Sequence, residues 1–483
     1  MISRQFFKSS LIYSIVGALP YASGFILLFW YTSWLTPQQF GINALYLPLL
    51  LFVQIISTFG LDMTAGVLYF DYKQERQRLR EYLGTVFTGL IILGSATVLI
   101  FLLGGFRFFT WIFKSSDVMV LLPFGIITIF SGVFNGIFKT YSSLLINQQR
   151  PERFFWLNIT NFIVTIGASL TLLYLFPFTL YGPVLGRLAP AVISASLSWF
   201  LLAREYGLSW NTGYVRKIAG YSAPLMAYSL FGWLVSYIDR FIINGIMDDT
   251  VSVGVFDIAV KLMLGIELII AGLVNTINPK IYNIWSVSGK QESTVEVNRY
   301  YNVLTAIVLL MIPLFVIVAP MVLPLVIKKE VYYRAFDFLA ILGAGYAIRV
   351  LFYMFLAPLM FFKKTAVLPR VFAISAIINI GVGILLIRYF GLIGAVWTSF
   401  MIKPVQALLM YFECRKIYTF KLNPWKIIYT PIIFILIVFL SESLAPAGLK
   451  FKIEIMQFFA AVVLVYFAYR KELVPMIWKF LGR

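Results

Sequence analysis

Apolar runs of about 20 residues follow one another from one end of this 483-residue chain to the other, and a run of that length can cross a bilayer as a helix. Inside hydrocarbon every backbone N–H and C=O must be satisfied within the protein, which leaves helices and closed barrels as the only spanning structures. Barrels are built from short alternating strands, not from long unbroken runs. Charged residues make up 12% of the chain against 61% hydrophobic, too few to cover the surfaces of a soluble protein of this length. The fold class is therefore all-α and polytopic.

Spans are predicted at about 9–31, 41–61, 82–103, 118–141, 154–176, 181–203, 219–243, 251–277, 301–327, 336–361, 366–387, 391–412, 427–445 and 453–470, which makes about 14. Arg4 and Lys8 precede an apolar run that is longer than the core of a signal peptide, so the first segment is read as a retained span. The connecting loops are too short to form a separate folded domain.

The net charge of +19 is explained by topology. With the N-terminus inside, roughly 25 of the 39 Lys and Arg fall on inner segments and about 9 on outer ones, the bias expected of cytoplasmic loops. This places both termini in the cytoplasm and requires an even number of spans. Nucleic acid is not needed to account for the charge. The single Cys, Cys414, permits neither an intramolecular disulfide nor a Cys-based metal site. Without His, proton coupling would have to use carboxylates.

The chain contains an internal repeat. Ile146–Ser198 and Phe361–Leu409 are read as sharing one order of features: a basic loop, a span with Asn in its first half, an aromatic-Gly turn, then a small-residue helix with a buried cation and a Pro. The turns are Tyr181-Gly182 and Phe390-Gly391. An offset of about 210 residues makes helices 1–6 match helices 7–12. The expected organisation is an N-terminal lobe at 1–210, a C-terminal lobe at 211–420, and two further helices with a tail at 421–483. Parallel repeats of this kind imply a site between the halves near the midplane.

Five cations lie within the spans, one on each even-numbered helix from the fourth: Lys139, Arg187, Lys261, Arg349 and Lys403. Lys261, Arg349 and Lys403 are roughly 15–20 Å deep. An exposed cation there costs about 2.5–3.5 kcal/mol or more, so these residues must face a wet cavity or a partner. Lys139 and Arg187 are near span ends and can snorkel. Asp257 precedes Lys261 by four residues, the spacing of a helical ion pair. Arg349 and Lys403 have no acid within a helical turn, which makes them the leading cavity residues. Glu267 likewise has no local partner; Asp62 and Asp239 end the second and seventh spans. Asp257 and Glu267 are the carboxylates able to carry a proton. Asp239-Arg240 is read as an ion pair or clamp at the outer end of the seventh span. A cationic cavity suits an anionic solute or headgroup, since Arg and Lys bind phosphate. Asn158, Asn161, Asn275, Asn379, Trp233 and Trp397 are able to hold sugars or, equally, to bond and anchor helices.

There is no Walker A pattern: "SGKQES" at Ser288 has Gln where Ser or Thr should follow Gly-Lys. Outer loops too short for a catalytic domain point to a transporter rather than an enzyme.

Some fourteen spans with a six-plus-six repeat, together with the motif "SYIDRFIINGIMDDTVSVGVFDIAVKL" at Ser236–Leu262, resemble the MATE-like MOP exporter superfamily. The chain is more closely similar to its polysaccharide transporter branch, the O-antigen and exopolysaccharide flippases. The residues that carry this are Tyr237, Asp239, Arg240, Val253, Gly254, Phe256 and Lys261, with "GLIGAVWTSF" at Gly391 and "FGLDMTAGVLYF" at Phe59 also fitting. Asp257 departs from the pattern, where small or hydroxyl residues are more usual. The resemblance implies a monomeric flippase in the bacterial inner membrane. It would move an undecaprenyl-diphosphate-linked oligosaccharide outward by alternating access, with no cofactor except a coupling ion such as H+ or Na+. A polysaccharide polymerase and chain-length machinery are the partners it implies. The alternatives are a multidrug antiporter of the same fold and a lipid II flippase. The orientation is testable by cysteine labelling in a Cys414→Ser background. Arg388→Cys is expected to react with an impermeant maleimide added outside, and Lys364→Cys to be protected until the membrane is opened; the reverse pattern would overturn the topology.

Overall fold

The computed structural model describes residues 12–13, 16–17, 19–112, 121–287, 294–443 and 450–480. The predicted start of the first span, Lys8, Lys114 and the "SGKQES" segment lie outside the described residues. Every regular element among the described residues is helical. The chain forms two compact units, Met1–Gly254 and Val255–Arg483.

The first unit contains α1 (Leu19–Trp34), α2 (Pro37–Thr58), α3 (Leu61–Tyr72), α4 (Arg76–Ile112), α5 (Ile126–Asn147), α6 (Pro151–Leu175), α7 (Tyr181–Tyr206) and α8 (Thr212–Met247). α9 (Thr250–Val287) starts in the first unit and continues in the second. The second unit then holds α10 (Thr294–Val326), a 3-10 segment (Glu330–Phe338), α11 (Leu339–Ala344), α12 (Tyr346–Phe361), α13 (Leu368–Phe390), α14 (Leu392–Arg415), α15 (Thr430–Ser443) and α16 (Lys450–Phe480).

Among the described residues, 11 helices can cross a membrane by length and composition, or 12 if the pair Glu330–Ala344 and Tyr346–Phe361, bent by 41°, counts as one span. The count of about 14 is not reached by that measure. The predicted spans at 9–31 and 251–277 correspond to α1, with 16 described residues, and to α9, which carries Asp257, Lys261 and Glu267; neither is among the 11. The outer surface is apolar where lipid would contact it. Leu103 on α4 is 80% exposed and Ile377 on α13 is 70% exposed, an arrangement a water-soluble protein avoids over large areas.

Local sequence explains where helices begin. At α2 the Thr36 hydroxyl accepts from the Gln39 N–H (3.2 Å), and the Gln39 side chain accepts from the Thr36 N–H (3.0 Å). This is a capping box, followed by Pro37 at the first helical position. The turn between α8 and α9 is built from Asp248, left-handed at φ 51°, and Asp249, whose carboxylate accepts from the Val251 N–H (2.9 Å) and the Ser252 hydroxyl (2.5 Å).

The two segments read as a repeat fall on two helical hairpins, α6–α7 and α13–α14. Both are drawn together by a glycine. A Cβ on Gly186 would stand 2.2 Å from the Ser169 hydroxyl, and one on Gly394 would stand 2.1 Å from the Leu386 carbonyl oxygen. Small residues let membrane helices approach closely enough to gain dispersion contacts, which must replace the hydrophobic drive absent in lipid. In each unit a further helix lies on the hairpin: α5 packs on α7, and α12 packs on α14. Gly186→Ile is expected to cost about 1–3 kcal/mol by overpacking, read as a lower thermal midpoint of the purified protein. Gly167→Ile, at a position on α6 with nothing within 4 Å, should leave the midpoint nearly unchanged; equal effects would refute this account of the hairpin.

Candidate functional site

In the second unit, α9, α12 and α14 bring charged and polar side chains together. Arg349 on α12 donates from Nε to both oxygens of Glu267 on α9, at 3.0 and 3.2 Å. Its Nη1 donates to Gln406 Oε1 on α14 at 2.9 Å. The Tyr353 hydroxyl, one turn on from Arg349, donates to the same carboxylate at 2.7 Å. The guanidinium also lies over the ring of Phe352, 4.3 Å from its centroid. The Arg349 and Glu267 side chains are 18% and 19% exposed, so the pair is largely withdrawn from solvent yet reachable. This corrects the sequence reading, in which Arg349 and Glu267 lacked partners. Their partners are distant in sequence, and no spacing rule within a helix can find them.

Lys403, about 16 Å along α14, donates from Nζ to the Ser399 carbonyl (2.8 Å) and sits over the Tyr346 ring, 4.7 Å from its centroid. Such a cation–π contact is favourable where water is scarce. Tyr346 is three residues before Arg349 on α12, on the same helix face, so Lys403 over its ring and Arg349 are placed beside one another. The bend between α11 and α12 falls at Gly345, where an added Cβ would meet Lys403 Cδ at 2.9 Å and Nζ at 3.5 Å. A glycine here makes room for the lysine side chain.

Lys261 pairs with Asp257 at 2.6 Å, four residues apart on α9, as the spacing predicted. The Asp257 side chain is 4% exposed, so Lys261 carries its own counter-charge.

In the first unit the other cations are also held. Lys139 on α5 pairs with Asp62 on α3 at 3.0 Å. Asp62 lies in the first turn of α3 rather than at the end of a span. Lys139 and Arg349 are separated by the repeat offset of about 210 residues, and each takes an acid from an earlier helix of its own unit. Arg187 on α7 donates to Asn43 Oδ1 on α2 at 2.7 Å, a polar partner in place of simple snorkelling. Asp239 and Arg240 are buried at 4% and 3% exposure. They lie in the interior of α8, which continues to Met247, so they are not at a helix end as the sequence reading had it. Arg240 donates to the Ser236 carbonyl (3.1 Å) and lies near the Tyr237 ring.

Three of the six polar residues able to hold sugars tie helices together. Asn158 bonds Ser142, Asn161 bonds Ser194, and the Trp233 indole donates to the Pro48 carbonyl. Sequence reasoning missed Gln406, Tyr353, Tyr346 and Gly345. Two weak signals existed: Tyr353 is one turn from Arg349, and Gln406 is three residues from Lys403. Among the described residues no group of three or more His, Cys, Asp or Glu side chains is arranged to hold a metal.

Long apolar helices of this arrangement, in two units with charges paired inside them, have the fold of MOP-superfamily membrane transporters. A structure of the lipid II flippase MurJ in an inward closed conformation matches with a TM-score of 0.69 at 13% identity, covering 99% of both chains. An inward-facing multidrug resistance MATE family transporter matches at 0.66 and 15% identity, over 83% of this chain and 94% of that one. A MOP superfamily transporter from Pyrococcus furiosus with a binding pocket of reverse polarity matches at 0.61 and 13% identity, over 85% and 95%. No curated protein matches in sequence. The chain belongs to the polysaccharide biosynthesis protein family, whose model matches residues 6–285.

Arg349→Gln would leave Glu267 half-buried with Tyr353 as its remaining bonded partner, an expected loss of about 1–3 kcal/mol. In a double-mutant cycle on thermal or denaturant unfolding, the Glu267→Gln/Arg349→Gln variant should lose less than the two single losses added together. Strict additivity would show that the two side chains are not coupled.

Proposed function

We propose that this protein is a flippase for a polyprenyl-diphosphate-linked oligosaccharide, a polysaccharide repeat unit carried from the inner to the outer face of the cytoplasmic membrane by alternating access. The observation that carries this reading is the cluster of Arg349 and Lys403 around Tyr346, with Glu267 as its acid. Two cations against one carboxylate leave a net positive site within apolar helices. A diphosphate fits it, because a guanidinium forms a bidentate fork with phosphate oxygens and an ammonium adds a point charge. Membership of the polysaccharide biosynthesis family supports the sugar-bearing substrate.

Glu267 then acts as a resident counter-ion. It keeps Arg349 compensated while the site holds no substrate and yields the guanidinium when the diphosphate arrives. A carboxylate displaced in a site of low polarity gains affinity for a proton, so Glu267 is the proposed coupling group if the ion is H+. Asp257 keeps Lys261 neutralised, and that pair is assigned to structure. Lys139 with Asp62, and Arg187 with Asn43, are assigned the parallel role of charged side chains held ready in the first unit. Asp239 and Arg240 are assigned to anchoring α8. The termini are proposed to be cytoplasmic, the protein to work as a monomer, and the polymerase and chain-length machinery to take its product; no chemistry is catalysed.

A lipid II flippase is the second reading, favoured by the MurJ structure's coverage of 99% of this chain against 83% for the MATE structure. It requires the same diphosphate chemistry. A multidrug antiporter is disfavoured, since a net cationic site repels cationic drugs. Complementation separates these readings. The chain is expected to restore surface polysaccharide in a strain lacking its polysaccharide flippase and not to rescue loss of the lipid II flippase. The Arg349→Gln/Lys403→Gln variant should lose at least about tenfold of that activity, as expected for removing two charge-assisted contacts. Full activity in the double variant would defeat the proposed site.

A further inference from the structure

A second cationic site lies far in sequence from the cluster just described. In the first unit a cavity of about 640 Å³ is lined by Arg76, Gln77, Arg80, Glu81, Tyr206 and Ser209. Arg76 and Arg80 are one helical turn apart at the start of α4, hence on one face. Both are exposed, and among the described residues neither guanidinium has an ion-pair or hydrogen-bond partner. Their neighbours do. Arg78 pairs with Glu75 at 2.9 Å, and Lys217 pairs with Asp71 at 3.1 Å. Glu205, which precedes Tyr206, is bound by both Arg150 and Arg153 at 2.6 Å. Its hydrogen bond holds the Arg150 guanidinium protonated, above the usual arginine range.

The acids bordering the cavity are therefore outnumbered. Glu205 is shared by two arginines, and Glu81 faces two more while accepting a 3.5 Å contact from Gln77. The Ser209 hydroxyl is spent on the Glu81 carbonyl at 2.9 Å, so Arg76 and Arg80 are the charged donors available to a ligand. Past Glu81 the sequence turns apolar, with Leu83, Val86 and Phe87 buried and the helix from Arg76 to Gly105 apolar enough to span. The two arginines thus stand at the edge of the hydrocarbon, at the level of lipid headgroups, where basic pockets select anionic lipids.

We propose that this cavity binds a phosphate-bearing anion, the headgroup of an anionic phospholipid, through Arg76 and Arg80. The site is independent of the Arg349–Lys403 cluster and holds a resident lipid rather than cargo. The Tyr206 ring forms part of its wall.

The test uses the full purified chain in detergent, titrated with phosphatidylglycerol, phosphatidylcholine or inorganic diphosphate, and read by native mass spectrometry and thermal midpoint. Phosphatidylglycerol is expected to bind and to raise the midpoint, while phosphatidylcholine does neither. Arg76→Gln/Arg80→Gln should weaken phosphatidylglycerol binding by about 30-fold, from the loss of two arginines at the membrane surface. Arg78→Gln, at an equally exposed but paired arginine, should leave binding within a few-fold of wild type. Unchanged binding in the double variant, or an equal loss in Arg78→Gln, would overturn the site as diffuse surface charge. Protection by inorganic diphosphate that depends on Arg76 and Arg80, with none from phosphatidylglycerol, would overturn the lipid assignment in favour of a soluble anion.

Discussion

A charge placed among apolar helices must find an opposite charge, a hydrogen-bond partner or water, because hydrocarbon solvates it poorly. The Arg349–Glu267 contact is the point where that constraint acts most strongly. Nε addresses both carboxylate oxygens, while Gln406 and Tyr353 occupy the remaining bonding positions. The contact joins α9 to α12, and Gln406 extends it to α14. The same rule governs Lys139 with Asp62, Lys261 with Asp257, and the pair formed by Lys426 and Glu472 at 2.5 Å, which fixes the start of the α15 segment to α16. Glu472 also accepts from Asn302 on α10 at 3.0 Å. Buried pairs of this kind add less stability than their number implies, but losing one partner leaves a charge stranded. Their effect is to specify which helix faces which.

Close packing allows those pairs to form. Membrane helices gain little from burying apolar surface against one another, since lipid is equally apolar, so they rely on small residues for close approach. Gly186 and Gly394 do this in the two hairpins, and Gly345 does it at the bend beside Lys403. With any larger residue at 345, Lys403 would be displaced from its place over Tyr346. A steric detail of the backbone therefore sets the position of a charge.

The fold does not by itself separate substrates. The similar solved structures include a lipid II flippase and multidrug transporters, all at 15% identity or below. In this chain the feature that bears on a ligand is the sign and pairing of the charges inside the helices. In the second unit Arg349 and Lys403 stand near one acid, Glu267, that Arg349 binds directly. Lys139 and Arg349, about 210 positions apart, sit in unlike surroundings: the Lys139 side chain is 49% exposed and that of Arg349 is 18% exposed.

The sequence by itself determined the class of protein, the run of apolar helices and the list of charges that lie within them. These are legible because hydropathy and helical spacing are local properties. A run of about 20 apolar residues is a span wherever it occurs, and Asp257 can be paired with Lys261 by counting four residues. Tertiary structure alone decided the rest. It gave Arg349 an acid 82 positions away, gave Lys139 an acid on α3, and put Asp239-Arg240 inside a long helix rather than at its end. It also showed that Gly345 leaves room for Lys403. The physical reason is that the partner of a buried charge is chosen by the rotation and close approach of separate helices, and side-chain packing sets those. No window along one helix contains that information.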